Sequence, residues 1–137
     1  MDNCLFCRIV NKEIPADIVF ENDSVMAFLD IHPTNKGHTL IVSKEHFENL
    51  AETEDSVASE LMIVARRIAP EIVKAVGAEG FNLITNNGSA AGQVVMHTHL
   101  HVIPRFSDDG FKHWASKEVS KEEMAEIKNK IVSFLKE

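Results

Sequence analysis

The chain has 137 residues, with 14 Lys and Arg against 21 Asp and Glu, a net charge of −7 and 45% apolar residues. That is the composition and length of one globular domain, 1–137, able to bury a core without cross-links. The acidic balance, with no block of basic residues, argues against nucleic-acid polymers and anionic membrane surfaces as partners. The longest apolar run, Leu61-Met62-Ile63-Val64-Ala65, is far short of the roughly 20 residues that cross a bilayer. Met1-Asp2-Asn3-Cys4 has neither the basic start nor the apolar stretch of a secretory signal. The expectation is a cytoplasmic protein, in which Cys4 and Cys7 are a metal or redox pair rather than a structural disulfide.

In chain order, Ile18-Val19-Phe20 and Val25-Met26-Ala27-Phe28-Leu29 read as antiparallel strands joined by the polar loop Glu21-Asn22-Asp23-Ser24. Pro33, Asn35 and Gly37 punctuate a loop before a third strand, His38-Thr39-Leu40-Ile41-Val42. From Asp55 to Val76, the spacing of Val57, Leu61, Val64, Ile68 and Ile72 is that of one helix face, bent or shortened by Pro70. Gly77 and Gly80 stop this helix, Phe81-Asn82-Leu83-Ile84 forms a strand, and Asn86-Asn87-Gly88-Ser89 turns the chain. A last strand runs from Val94 to Ile103 and ends at Pro104. Residues 107–137 form a C-terminal loop and helix; Ser120-Lys121-Glu122-Glu123 is a capping box, and Met124, Ile127, Ile131, Phe134 and Leu135 lie on the helix's inner face. The fold class is α+β, an antiparallel sheet of about five strands with two main helices.

His97, His99 and His101 alternate with Thr98, Leu100 and Val102. On a strand, residues two apart share a face about 7 Å apart, so three imidazoles line up while Leu100 and Val102 enter the core. On a helix the same positions would scatter to about 0°, 200° and 40° around the axis. A polar outer face or backbone-satisfied core histidines would account for one such residue; three in five positions point instead to a site. Crowded imidazoles disfavour each other's protonation, which keeps at least one neutral and nucleophilic near pH 7.

Cys4-Leu5-Phe6-Cys7, Ala27-Phe28-Leu29-Asp30-Ile31, Gly37-His38-Thr39-Leu40-Ile41-Val42, Lys44-Glu45-His46 and the run from Gly92 to Arg105 containing His97-Thr98-His99-Leu100-His101 together resemble the histidine triad (HIT) family, in its branch of small nucleoside phosphoramidases. The similarity spans about residues 3–106; Thr98 stands where the family has an apolar residue. The resemblance implies a HIT-like fold, its sheet continued across a homodimer. It also implies hydrolysis or transfer at the α-phosphate of nucleoside 5′-monophosphate derivatives, phosphoramidates or adenylates, with His99 as nucleophile and a nucleotidyl-histidine intermediate. His101 and His38 are its polar partners, and no cofactor is required for catalysis. A neutral imidazole needs only a hydrogen bond on its second nitrogen to be aimed. With few cations nearby, the donors to phosphate are expected to be imidazoles, the Asn86 amide and backbone N–H groups around Gly92 and Gln93. Val94 departs from the family pattern, which has a hydroxyl residue there; its own N–H can still serve phosphate, and the change favours substrates with better leaving groups.

The resemblance further implies that Asp30 accepts hydrogen bonds from the ribose hydroxyls, and that Phe6, Ile9, Phe28, Ile31 and Leu40 line the base slot, with purine preferred. On the residues alone Asp30 is a turn former and the five apolar residues are core. Cys4-x-x-Cys7 is half of a zinc site; by resemblance, His46 and His97 complete it as structural zinc. Trp114 is a candidate for approaching a partner's active site. Two other readings stand: a dinucleoside polyphosphate hydrolase, and a non-enzymatic nucleotide-binding interaction protein.

Overall fold

Alternation of side chains along three strands builds the molecule in layers. The computed structural model describes residues 3–136. Its elements are α1 (Leu5–Val10), β1 (Ile18–Glu21), β2 (Val25–Leu29), β3 (Thr39–Ser43), α2 (Asp55–Val76), β4 (Gly80–Ile84), β5 (His99–Arg105) and α3 (Lys121–Leu135), with short 3-10 turns at Leu50–Glu52 and Ser89–Ala91. The five strands form one antiparallel sheet in the order β1-β2-β3-β5-β4. Val25, Ala27, Ile41, Leu100 and Val102 point to one face and bury Leu61, Val64, Ala65 and Ala69 of α2, with Val57, Ile68 and Ile72 packed around them. Met26, Phe28, Leu40 and Val42 point to the other face and bury Phe6 and Ile9 of α1. The pattern read from the sequence for α2 is the face it buries, and Leu100 and Val102 lie in the core as expected.

Several boundaries differ from the sequence reading. α2 is not shortened by Pro70; it continues to Val76 and closes on Gly77 in the left-handed conformation. α1 went unread, because six residues are too few for a helical period to emerge. The last strand is His99–Arg105 rather than Val94–Ile103. Residues 94–98 leave the sheet because Thr98 N–H is donated to the Phe47 carbonyl and His97 N–H to that of Val95. Pro104 lies inside β5, not beyond it. There β5 has already outrun β3, whose last partner is Val102, and the Pro104 carbonyl accepts from the Asn35 side chain at 2.9 Å, so the missing N–H faces no strand.

A further correction concerns α3. Its N-cap is Ser120, whose hydroxyl accepts from Glu123 N–H at 3.1 Å, but Met124, Ile127, Ile131, Phe134 and Leu135 are all exposed, by 41% to 84%. Among the described residues nothing buries the expected inner face. What fixes the tail's departure is a clasp at the end of β5: Asp109 receives Arg105 in a two-pronged ion pair at 2.7 and 3.1 Å and also accepts from the N–H groups of Phe106 and Phe111 and from Asn35.

Candidate active site on the open face of the sheet

His99 and His101 project from β5 on the α1 side of the sheet. His99 is 7% exposed and stands edge-on to the Phe6 ring, centroids 4.9 Å apart. Its Nδ1 lies 2.6 Å from the His97 carbonyl oxygen. A carbonyl only accepts, so Nδ1 carries the proton and Nε2 keeps its lone pair. His101 is set in the same way through a longer chain. Thr34 N–H is donated to His38 Nδ1 at 3.0 Å, which puts the His38 proton on Nε2, and Nε2 lies 3.0 Å from His101 Nδ1. His101 therefore holds its own proton on Nε2, free to donate. Asp30 Oδ2 is 3.6 Å from His38 Nε2, while Asp30 Oδ1 accepts His32 N–H at 2.8 Å.

Burial pushes His38 and His99 below the ordinary histidine pKa, and burial with the neighbouring His99 and His38 rings takes His101 down to about 4. At neutral pH the set is uncharged. Asp30, His38 and His101 gather three donor atoms within 4.8 Å, but the Thr34 bond keeps a proton on His38 Nε2 and so denies a metal that lone pair.

A second constellation adjoins the first. Cys4, Cys7, His46 and His97 bring two sulfurs and two ring nitrogens within 4.8 Å of one another. Cys4 Sγ is 3.3 Å and Cys7 Sγ 3.5 Å from His97 Nδ1, Cys7 Sγ is 3.3 Å from His46 Nδ1, and the two Nδ1 atoms are 3.1 Å apart. His97 is fully buried, and its Nε2–H is donated to the Ser43 carbonyl at 2.6 Å, leaving Nδ1 bare and turned toward the sulfurs. Burial and the adjacent Cys4 push the Cys7 thiol up to about 11.

The remaining sequence-picked residues fall into two groups. Phe6, Ile9, Phe28 and Leu40 are buried together; Ile31, at the exit of β2, is 81% exposed and stands apart. In the loop before β5, the N–H groups of Gly92 and Gln93, expected to serve phosphate, are donated to the Ser89 and Gly88 carbonyls. Gln93 is a buried brace: its side chain accepts from Gly88 N–H and donates to the carbonyls of Glu48 and Val95. Val94 is 87% exposed beside it, and the Asn86 amide lies near Gly92. Trp114, 94% exposed, lines with Thr34, Ile84, Ile103 and Phe111 a groove of about 500 Å³ on the same face. Sequence reading missed Thr34 and the carbonyls of Ser43 and His97, since backbone and turn groups leave no trace in a motif. It also left Thr98 unexplained: the Thr98 hydroxyl meets that of Thr53 at 2.8 Å in the interior. An apolar residue there would remove this bond, while the Thr53 hydroxyl would keep its donation to the Asn49 carbonyl at 2.8 Å.

The HIT domain profile matches residues 11–108. The chain belongs to the HIT family. It is 44% identical over 115 residues to the adenylylsulfatase HINT3 of Arabidopsis thaliana, covering 84% of this chain and 57% of that longer protein. It is 36% identical over 136 residues to the adenosine 5′-monophosphoramidase hnt1 of Schizosaccharomyces pombe, covering 98% and 99% of the two chains. The crystal structure of a Streptococcus mutans protein superposes on 99% of this HIT chain and 87% of its own, with a TM-score of 0.94 at 39% identity. The five-stranded antiparallel α+β fold is thus that of the family.

Proposed function

We propose that this HIT protein hydrolyses nucleoside 5′-monophosphate derivatives at the α-phosphate, through a nucleotidyl intermediate on His99. The observation that carries the reading is the 2.6 Å bond from His99 Nδ1 to the His97 carbonyl. It aims an uncharged ring whose free Nε2 can attack phosphorus in line with the leaving group, splitting one displacement into two. The same carbonyl stabilises the positive charge that the ring gains on attack. His101 Nε2–H, held in that tautomer by His38, donates where negative charge builds, as do the Asn86 amide and Val94 N–H; one such donor is typically worth about 3 kcal/mol. Asp30 accepts from the ribose hydroxyls, and Phe6, Ile9, Phe28 and Leu40 offer a base, purine by preference, an apolar seat that Ile31 caps on binding.

Substrate class follows from the leaving group. The acid anion displaced from an adenylate leaves without a proton, whereas the amine displaced from a phosphoramidate must leave protonated. Val94 brings no hydroxyl to assist, and the relative that carries the name adenylylsulfatase is 44% identical. Both features favour adenylates over phosphoramidates.

Cys4, Cys7, His46 and His97 suit structural zinc. Bonds of about 2.0–2.1 Å to nitrogen and 2.3 Å to sulfur would space tetrahedral donors roughly 3.3–3.8 Å apart, and the distances here, 3.1–3.5 Å, need only a small expansion. Zinc would draw both thiols into thiolates and tie α1 to the approach to β5. The chain is read as one HIT unit, with 107–137 as a tail that pairs two copies, and the two free thiols suit the reducing cytoplasm.

The test is a quenched-flow trap with adenosine 5′-phosphosulfate and adenosine 5′-phosphoramidate. The intact protein is expected to gain one AMP on His99. His99→Gly should lose turnover by a factor of about 10⁴ or more while its AMP affinity stays within about threefold. No adduct with either substrate, or equal loss of binding and turnover, would remove His99 from the nucleophile's role.

A further inference from the structure

Between β4 and β5 the chain runs outside the sheet. Both ends of this stretch are held: the Asn87 side chain accepts Leu50 N–H at 2.8 Å, and Thr98 N–H is donated to the Phe47 carbonyl at 2.9 Å. In between, the N–H groups of Ala91, Gly92 and Gln93 are donated to the Gly88 and Ser89 carbonyls, and His97 N–H to that of Val95. Those bonds close the loop on itself and leave its direction open. Val95 packs on the apolar cluster beside α1, a contact that sets depth but not direction. Among the described residues, one hydrogen bond ties residues 88–96 to a distant part of the fold, and it is the one from Gln93 Nε2 to the Glu48 carbonyl at 2.7 Å.

The Gln93 amide is fully engaged. Oε1 accepts Gly88 N–H at 2.8 Å, and Nε2 gives its two protons to the carbonyls of Glu48 and Val95, at 2.7 and 3.1 Å. A flip would set nitrogen against an N–H and oxygen against two carbonyls, so this buried side chain has one orientation. Its partners bracket the peptide that joins residues 93 and 94: Gly88 stands upstream, Val95 downstream, and Glu48 opposite. The N–H of that peptide belongs to Val94 and has no acceptor among the described residues.

We propose that Gln93 is a positioning residue whose side-chain amide holds the peptide between residues 93 and 94, so that Val94 N–H is presented to the α-phosphate beside His99 and His101. This rests on the functional reading above and adds to it the group that keeps one of its donors fixed. A donor already in place needs no reorganisation when charge builds, whereas one on a loosely tethered loop must be ordered at every turnover. Gln93 itself touches no reacting atom. Loss of its amide is therefore felt in the transfer step more than in the binding of AMP, and not in the binding of adenosine, which has no phosphate to receive the donor.

The probes are AMP and adenosine, followed by amide NMR, with kcat measured on adenosine 5′-phosphosulfate. In native protein, AMP is expected to move the Val94 amide proton downfield by more than those of Gly92 and Gln93, while adenosine leaves Val94 in place. Gln93→Met keeps the side chain's length and removes all three bonds. It should lose the Val94 shift and lower kcat by about 10- to 100-fold, against the roughly 10²- to 10³-fold lost when such a donor is removed outright, with adenosine affinity within about twofold. A brace that served stability alone would lower the melting temperature and leave both the Val94 shift and the kcat of the folded protein unchanged. That result overturns the proposal, as does a Val94 amide in native protein that does not respond to AMP. Should Gln93→Met fail to fold, Gln93→Asn takes its place, its amide one methylene short of Glu48: loss of shift and kcat together supports the assignment, and native values refute it. The shifts need no turnover. A native protein that forms no adduct on His99 ends the functional reading, while the Val94 shift and its dependence on Gln93 decide this one separately.

Discussion

At the scale of single residues, the site works by keeping rings neutral and giving each a single tautomer. His101 makes this measurable. It is faced by His99 on its own strand, by His38 just before β3, and by Asp30 beyond, and burial with the two rings holds it at about 4 against 6.5 in an unfolded chain. Between those values the unfolded state binds the extra proton. Stability should therefore fall as the pH drops from about 6.5 to 4, at up to about 1.4 kcal/mol per pH unit for this ring, and be level above pH 7. Urea titrations at a series of pH values check the slope; replacing His101 by Gln should flatten it. The motif made the neighbouring rings of His99 and His101 legible, since a strand puts positions two apart on one face, whereas His97, expected in the same row, precedes β5 and faces the cysteines. It did not disclose which nitrogen bears each proton, because that is decided by Thr34 N–H and by the carbonyls of His97 and Ser43, which any sequence would offer.

At the scale of elements, strand alternation was the readable part: residues 25, 27, 41, 100 and 102 fall on one face and 26, 28, 40 and 42 on the other, as apolar periodicity requires. α1 was not readable, being one and a half turns long, nor was the departure of residues 94–98 from the sheet, which a β-rich run of Val94, Val95 and Thr98 disguises. The turn into β3 depends on Gly37, at φ +88°, where a Cβ would lie 2.8 Å from Val76 Cγ1 and 3.2 Å from Pro104 Cγ. Gly37→Ala should cost about 1–3 kcal/mol from backbone strain, with crowding in addition. In denaturant melts, the double variant with Val76→Ala should recover the crowding and leave the strain. Full recovery by the double would show that the left-handed turn contributes nothing. Because Gly37 immediately precedes His38, the Ala variant is also expected to lower kcat.

At the scale of the whole molecule, one helix has no internal reason to persist. α3 is 15 residues long, near the length at which isolated helices are marginal in water, and six of its apolar side chains, Met124, Ile127, Ile131, Val132, Phe134 and Leu135, are exposed. The tail is therefore expected to be covered by a second copy. Sedimentation at micromolar concentration should give a dimer, and Ile127→Asp with Ile131→Asp should give a monomer with the sheet intact by circular dichroism. An unchanged dimer in the double variant would place the contact elsewhere. The sequence showed the stripe on this helix but not what it meets, since periodicity reports that a face is apolar and is silent on which chain hides it. The clasp of Arg105 and Asp109 has a consequence for such a design. With its carboxylate saturated by five donor groups, Asp109 acts as a bolted bracket: the chain beyond it sets out from one fixed point on the rim of the sheet. Whatever extension follows is thereby launched past the groove that Phe111 and Trp114 share with Thr34 and Ile103.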